Sequence, residues 1–187
     1  MGHMKKKKGK PTLLGEIVDT LVTFGATFLI VYFIVTYLFT PVRVIGHSMV
    51  PGLNDGDFGF ANTIARNTVG VKRGDIVIIY LDDSNSYLIK RLIGVPGDTV
   101  EMKDGTLYIN GEAIEEDYLD EEYTAQYGDA FFADIEEVCL GENEYYVLGD
   151  NRINSRDSRY YGPFTKEQIR AKSVFIVFPL SDFGLKK

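Results

Sequence analysis

The sequence predicts a mainly β domain preceded by one N-terminal transmembrane helix. Three observations carry that prediction: an uncharged apolar run from Leu21 to Phe39, a change of pattern after Pro41, and turn residues spaced between short apolar segments. The run is long enough to cross a hydrocarbon core of about 30 Å as a helix rising about 1.5 Å per residue. A cleavable leader is the rival reading. Against it, the run exceeds the roughly 7–15 residues of such a segment, and its end, YLFTPVRV, lacks a small-residue cleavage site.

Lys5, Lys6, Lys7, Lys8 and Lys10 stand just before the run, and basic residues stay on the cytoplasmic side of a membrane. The expected organisation is therefore a basic cytoplasmic tail over 1–16, an anchor over 17–40, and an extracytoplasmic domain over 41–187, outside the cell membrane. Met1-Gly2-His3 reads as vector-derived ahead of a native Met4. The 187 residues carry a net charge of −7, and residues 41–187 hold 15 basic against 25 acidic side chains. That balance excludes a nucleic-acid surface.

Beyond Pro41 the clearest strands are Asp75–Leu81, Ser86–Ile93, Thr106–Ile109, Glu144–Leu148 and Ser173–Phe178. Asn54–Asp57, Lys103–Gly105 and Ile109–Gly111 carry the Asx-Gly chemistry of tight turns. Thr165–Ala171 reads as a short helix, with Thr165 as N-cap and Gln168 completing a capping box. The acidic, tyrosine-rich stretch Glu112–Glu137 shows no sustained period and reads as a solvated excursion from the sheet. Cys139 is the one cysteine, so no intramolecular disulfide forms, and it is expected to be a buried small hydrophobe. A thiol enzyme would need a nearby histidine, and only His3 and His47 exist.

Three segments are not explained by local structure. Gly46–Leu53 (GHSMVPGL) holds Ser48 between glycine and proline turns directly after the apolar run. Taken alone it is an ordinary turn. Tyr87–Asp98 (YLIKRLIGVPGD) is an apolar strand broken by Lys90 and Arg91; alternation places Leu88 and Lys90 on one face and Ile89 and Arg91 on the other, so one cation faces the apolar side. Burial there would favour a neutral lysine, available as a base. Gly149–Pro163 (GDNRINSRDSRYYGP) is dense in hydrogen-bonding side chains that can hold such an amine in place.

In this order after one apolar span, Ser48-Met49 before a proline, Lys90-Arg91 with Gly94-x-Pro96-Gly97-Asp98, and the Gly149–Gly162 run resemble the type I signal peptidase family, in its short Gram-positive form. The resemblance covers nearly the whole chain. It implies a β-rich catalytic domain near the membrane surface, a serine endopeptidase that removes signal peptides through an acyl-enzyme, and no metal or cofactor. By it Ser48 is the nucleophile and Lys90 the general base, Ser155 orients the lysine, and Asp150, Arg152, Asp157 and Arg159 support them. The Ser48 backbone N–H serves the oxyanion. Val44, Met49, Leu53, Leu88 and Ile89 line shallow apolar pockets for an A-x-A cleavage site.

The implied partners are signal peptides of secreted preproteins, the lipid bilayer and the secretion translocon. Substrate is expected to add as a strand beside Ser86–Lys90. Two positions depart from the family pattern: Gly46 stands where the Gram-negative form has an oxyanion-binding serine, and Gly52 where threonine is usual. His47 adjoins Ser48 but points the opposite way on an extended chain, which makes it a poor base. The competing reading, a non-catalytic assembly factor for secreted or pilin subunits, would be expected to lack the serine or the lysine. A self-cleaving serine–lysine repressor would need a DNA-binding domain in place of the span.

Overall fold

The computed structural model describes residues 12–64 and 70–186. The lysine cluster and the rest of residues 1–11 lie outside the described residues. The chain divides into two compact units, one ending at Leu38 and the other beginning at Phe39.

The first unit is helix α1, Leu13–Leu38. Thr12 caps it, its hydroxyl accepting from Gly15 N at 3.3 Å. Its apolar side chains are exposed on all sides from Leu13 to Phe33, the stretch long and apolar enough to cross a membrane. Inside it, the Thr20 and Thr23 hydroxyls donate to the carbonyls of Glu16 and Asp19 at 2.8 and 2.7 Å. Hydroxyls satisfied within their own helix suit a medium that offers no hydrogen bonds.

Among the described residues the second unit holds twelve strands in two sheets. The larger sheet runs in the order β1 (Phe39–Arg43), β2 (Phe58–Asn62), β11 (Ile169–Phe178), β3 (Ile76–Leu81), β4 (Ser86–Gly94), β9 (Glu144–Leu148) and β10 (Phe164–Thr165), with β12 (Gly184–Lys186) also paired to β11. Its strands read as almost continuous apolar runs because both faces are covered. Ile76, Ile78, Val174 and Ile176 pack with Met49 and Leu53, and partly buried Ile89 joins them. Val77, Ile79, Leu92, Val147 and Ile169 form a second cluster with Leu88.

The smaller sheet is β7 (Glu112–Ile114), β6 (Thr106–Ile109), β5 (Thr99–Lys103) and β8 (Ile135–Cys139). Val100, Met102, Leu107 and Ile109 pack under Tyr146 and Leu148 of the larger one.

Three expectations are corrected. Thr165–Ala171 is a strand, a turn and the start of another strand, not a helix. Half of the capping box forms, Thr165 N donating to Gln168 Oε1 at 2.8 Å, while Gln168 N donates to the Thr165 carbonyl rather than to its hydroxyl. One turn cannot propagate on its own, and Ile169 and Ala171 gain more by pairing with Ile79 and Ile78 of β3. The strand thus begins at Ile169 and carries a bulge at Ser173, whose φ is 59°.

The second correction concerns Glu112–Glu137, which is a folded part of the domain. It supplies β7, a short helix α2 (Glu121–Ala125) capped by Asp120, a 3₁₀ turn over Gly128–Phe131 that buries Phe131, and the start of β8. Cys139 is exposed rather than buried, at the end of the outer strand β8.

Candidate active site

The segment that carries Ser48 is a loop fixed at both ends. Gly46, at a φ of +92° open to glycine, donates its N–H to Asp55 Oδ1 at 2.8 Å. Met49 and Leu53 are sunk in the core, and Leu53 N donates to Met49 O at 2.8 Å. Between these anchors Ser48 stands half-buried.

Lys90 comes from the middle of β4, where it pairs with Val77 of β3. It is 2% exposed. Its Nζ lies 2.7 Å from Ser48 Oγ and donates to the Ile89 carbonyl at 2.9 Å. Burial pushes its pKa down to about 8, an effect only partly offset through space by Asp157 and Asp150.

Both of those carboxylates are engaged elsewhere. Asp150 receives a bidentate pair from Arg91, Nε to Oδ1 and Nη2 to Oδ2, each 2.7 Å. Arg91 also donates to Gly74 O at 2.7 Å and lies 4.3 Å from the centroid of the Tyr118 ring. Both cations of the Lys90-Arg91 pair are therefore buried, where alternation alone predicts one. Asp157 caps the short helix α3 (Ser158–Tyr161), accepts from Gly149 N at 3.0 Å and is held by Arg159 at 2.9 and 2.8 Å. Burial opposes its ionisation, but Arg159, the Gly149 N–H and the neighbouring Ser155 hydroxyl outweigh it and hold Asp157 below the usual carboxylate range.

The loop from Gly149 binds both the Ser48 segment and Arg91, the strand neighbour of Lys90. Asn151 donates twice to the Ser48 segment, N–H to Ser48 O at 3.1 Å and Nδ2 to His47 O at 3.0 Å. Arg152 donates Nε to Gly149 O at 3.2 Å, and its other nitrogens clasp Glu116, which also accepts from the Tyr118 hydroxyl. A Cβ at Gly149 would collide with both Ser48 O and Ser155 Oγ, so the approach of these two groups requires glycine.

Residues 17–178 match the signal peptidase family, peptidase S26. The chain belongs to this family. It is 38% identical to a signal peptidase I of Bacillus amyloliquefaciens over 187 residues, 98% of this chain and 100% of that one. Signal peptidase I T of Bacillus subtilis is 42% identical over 154 residues, covering 81% of this chain and 80% of its own. A crystal structure of a signal peptidase I from Enterococcus faecalis is 35% identical, with a TM-score of 0.49 over 54% of this chain and 94% of that one. The protein is thus a serine endopeptidase of the type I signal peptidase kind, acting on substrates that bear signal peptides, and α1 makes it membrane-anchored.

The peptidase has a cleft of about 1040 Å³ whose walls include Val44, Met49, Leu88 and Ile89, with Ser48 and Lys90 among them. Two of the sequence-derived positions stand apart from it. Leu53 is wholly buried behind Met49, and Gly46 faces Asp55 rather than the cleft. Ser155 Oγ is buried without a hydrogen-bond partner of good geometry among the described residues, so no bond joins it to Lys90.

Gly52, the departure from the usual threonine, has a cause in the signal peptidase's own geometry. A Cβ there would sit 2.7 Å from Asp150 Oδ2, so the carboxylate that holds Arg91 occupies that space.

Sequence reasoning passed over Gly149, Asn151, Arg91, Glu116 and Tyr118 as site residues. Gly149 and Asn151 were within reach, being the first and third residues of a motif already singled out. Glu116 and Tyr118 gave no signal, because their partners are 36 and 27 positions away and are met only in the fold.

Proposed function

We propose that Ser48 and Lys90 are the catalytic dyad of this signal peptidase. The observation that carries the reading is the 2.7 Å contact between Ser48 Oγ and the amine of a buried lysine. With its pKa near 8, about a tenth of Lys90 is neutral at pH 7. The neutral amine takes the hydroxyl proton as Ser48 Oγ bonds to the scissile carbonyl carbon. Lys90 then returns that proton to the departing amino group as the peptide C–N bond breaks. The same amine next deprotonates a water that attacks the acyl-enzyme, which frees Ser48. Ser48 N–H is suited to receive the oxyanion, a contact worth roughly 3 kcal/mol when preorganised.

The sheet supports strand addition by the substrate. Residues Ser86–Arg91 of β4 pair with β3 on one side, while β9 joins the other side only from Arg91 onward. Among the described residues Ser86–Lys90 thus offer an open edge beside the dyad. An extended chain laid on it would place its −1 and −3 side chains against Val44, Met49, Leu88 and Ile89, which favours small residues there and an A-x-A site. The basic residues before α1 favour a cytoplasmic N-terminus with residues 41–187 outside, the side to which a translocon would deliver its cargo.

The test is cleavage of a purified preprotein with an A-x-A site by the full chain in detergent. The native chain should cut after the −1 alanine, and Ser48→Ala and Lys90→Ala should be inert. A native chain that binds the preprotein and leaves it intact would sink the reading.

A further inference from the structure

The cleft beside the dyad is cationic although the protein is acidic. Among the described residues its charged lining side chains are Arg43, Lys90 and Arg170, with no Asp or Glu in its walls. The chain as a whole carries −7. Arg43 and Arg170 are exposed and, among the described residues, neither lies within ion-pair distance of a carboxylate. Arg170 is held in place by stacking. Its guanidinium lies 5.1 Å from the centre of the Tyr80 ring, and that ring lies 5.1 Å from Tyr87, its cross-strand partner in β4. Tyr80 is itself fixed by a 2.7 Å bond from its hydroxyl to Asn85.

The row Arg170–Tyr80–Tyr87 therefore crosses β11, β3 and β4 on the cleft side. It begins two residues along β4 from Ile89. We infer that this row is a specificity site that selects a carboxylate side chain upstream of the cleavage site and disfavours a basic one. The inference rests on the reading of the cleft above, in which the chain upstream of the cut runs from Ile89 towards Ser86. Tyr87 is three residues from Lys90, about 10 Å at roughly 3.3 Å per residue. Substrate positions of about −4 to −6 meet the row at Tyr87, and Arg170, two strands across from β4 or about 10 Å at roughly 4.8 Å per strand, is reached by a side chain lying over the Tyr87 and Tyr80 rings. A preorganised guanidinium on an aromatic face forks onto a carboxylate and repels lysine. Arg43, which also lines the cleft, adds the same sign of charge.

The experiment uses three peptides with one A-x-A site and Glu, Gln or Lys at −5, cut by the full chain in neutral detergent. The Glu:Lys ratio of kcat/KM in the native chain should be about two- to fivefold, the scale of an exposed ion pair, and should shrink at high salt. Arg170→Gln should bring the ratio towards one, and Arg170→Glu should invert it. A native ratio of one, or the same ratio in all variants, overturns the inference while leaving the peptidase reading intact. So does an unchanged ratio combined with an Arg170→Glu chain that loses only its binding to phosphatidylglycerol vesicles, which would assign the arginine to lipid. No cleavage of any of the three by the native chain would instead remove the dyad reading itself.

Discussion

Lys90 and Arg91 are neighbours on one strand, both cationic side chains and both buried, yet their surroundings differ in one respect. Every face of Arg91 meets a partner: the Asp150 carboxylate, the Gly74 carbonyl and the Tyr118 ring. Lys90 meets a hydroxyl and a carbonyl, and among the described residues no carboxylate bonds to it. A buried charge persists when its donors are satisfied by an anion, and otherwise the group moves towards neutrality. The difference teaches that a lysine is brought towards neutrality by withholding: Asp150 and Asp157 lie close enough to be felt by Lys90, but arginines claim them.

The largest test of that contrast is Lys90→Ala, expected to lower kcat/KM for a preprotein by roughly 10⁴-fold or more, since a dyad acts as a unit. Asp150→Ala should instead strike stability. It strands the Arg91 guanidinium in the interior at a cost of about 3–5 kcal/mol, read from urea unfolding of the detergent-solubilised chain. If Asp150→Ala keeps its stability, the contrast between the two cations collapses.

Lys90→Met should move the other way and stabilise. The folded pKa of Lys90 is depressed from 10.5 to about 8, so below pH 8 the native state bears a penalty that approaches about 3 kcal/mol. The gain of Lys90→Met should be full below pH 8 and fade between pH 8 and 10.5, where the native lysine is neutral and the unfolded one still charged. Glu116→Gln leaves Arg152 with a neutral partner and should cost about 1–3 kcal/mol, with cleavage weakened. The smallest effect is in the pH profile: kcat/KM should climb with pH and level off above about 8, with the acid limb tracing Lys90. A profile already flat at pH 6 would mean that Lys90 is not the titrating base.

Much of this was legible in the sequence where local rules and tertiary demand agree. β3, β4, β6 and β9 fall where apolar runs meet Asx-Gly and Pro-Gly punctuation, and Ser48 and Lys90 stand within motifs of distinctive spacing. Thr165–Gln168 kept one bond of its capping box but not its helix, because pairing with β3 lies outside any local window. The Glu112–Glu137 stretch hid its role for a related reason. Its acidic residues are mostly solvated, while Glu116 and Tyr118 turn inward to partners far along the chain, and nothing in composition separates the two kinds. Cys139 misled through residue type, since an edge strand exposes one face whatever occupies it.

The open edge of β4 has a consequence for timing. Ser86–Lys90 can be completed only by a backbone whose own donors and acceptors are unclaimed. A segment still coiled as a helix, or already folded into a mature domain, presents none. On the proposed mechanism the enzyme reads the conformational state of its cargo before it reads side chains, and cutting is confined to the interval when the emerging polypeptide is unstructured.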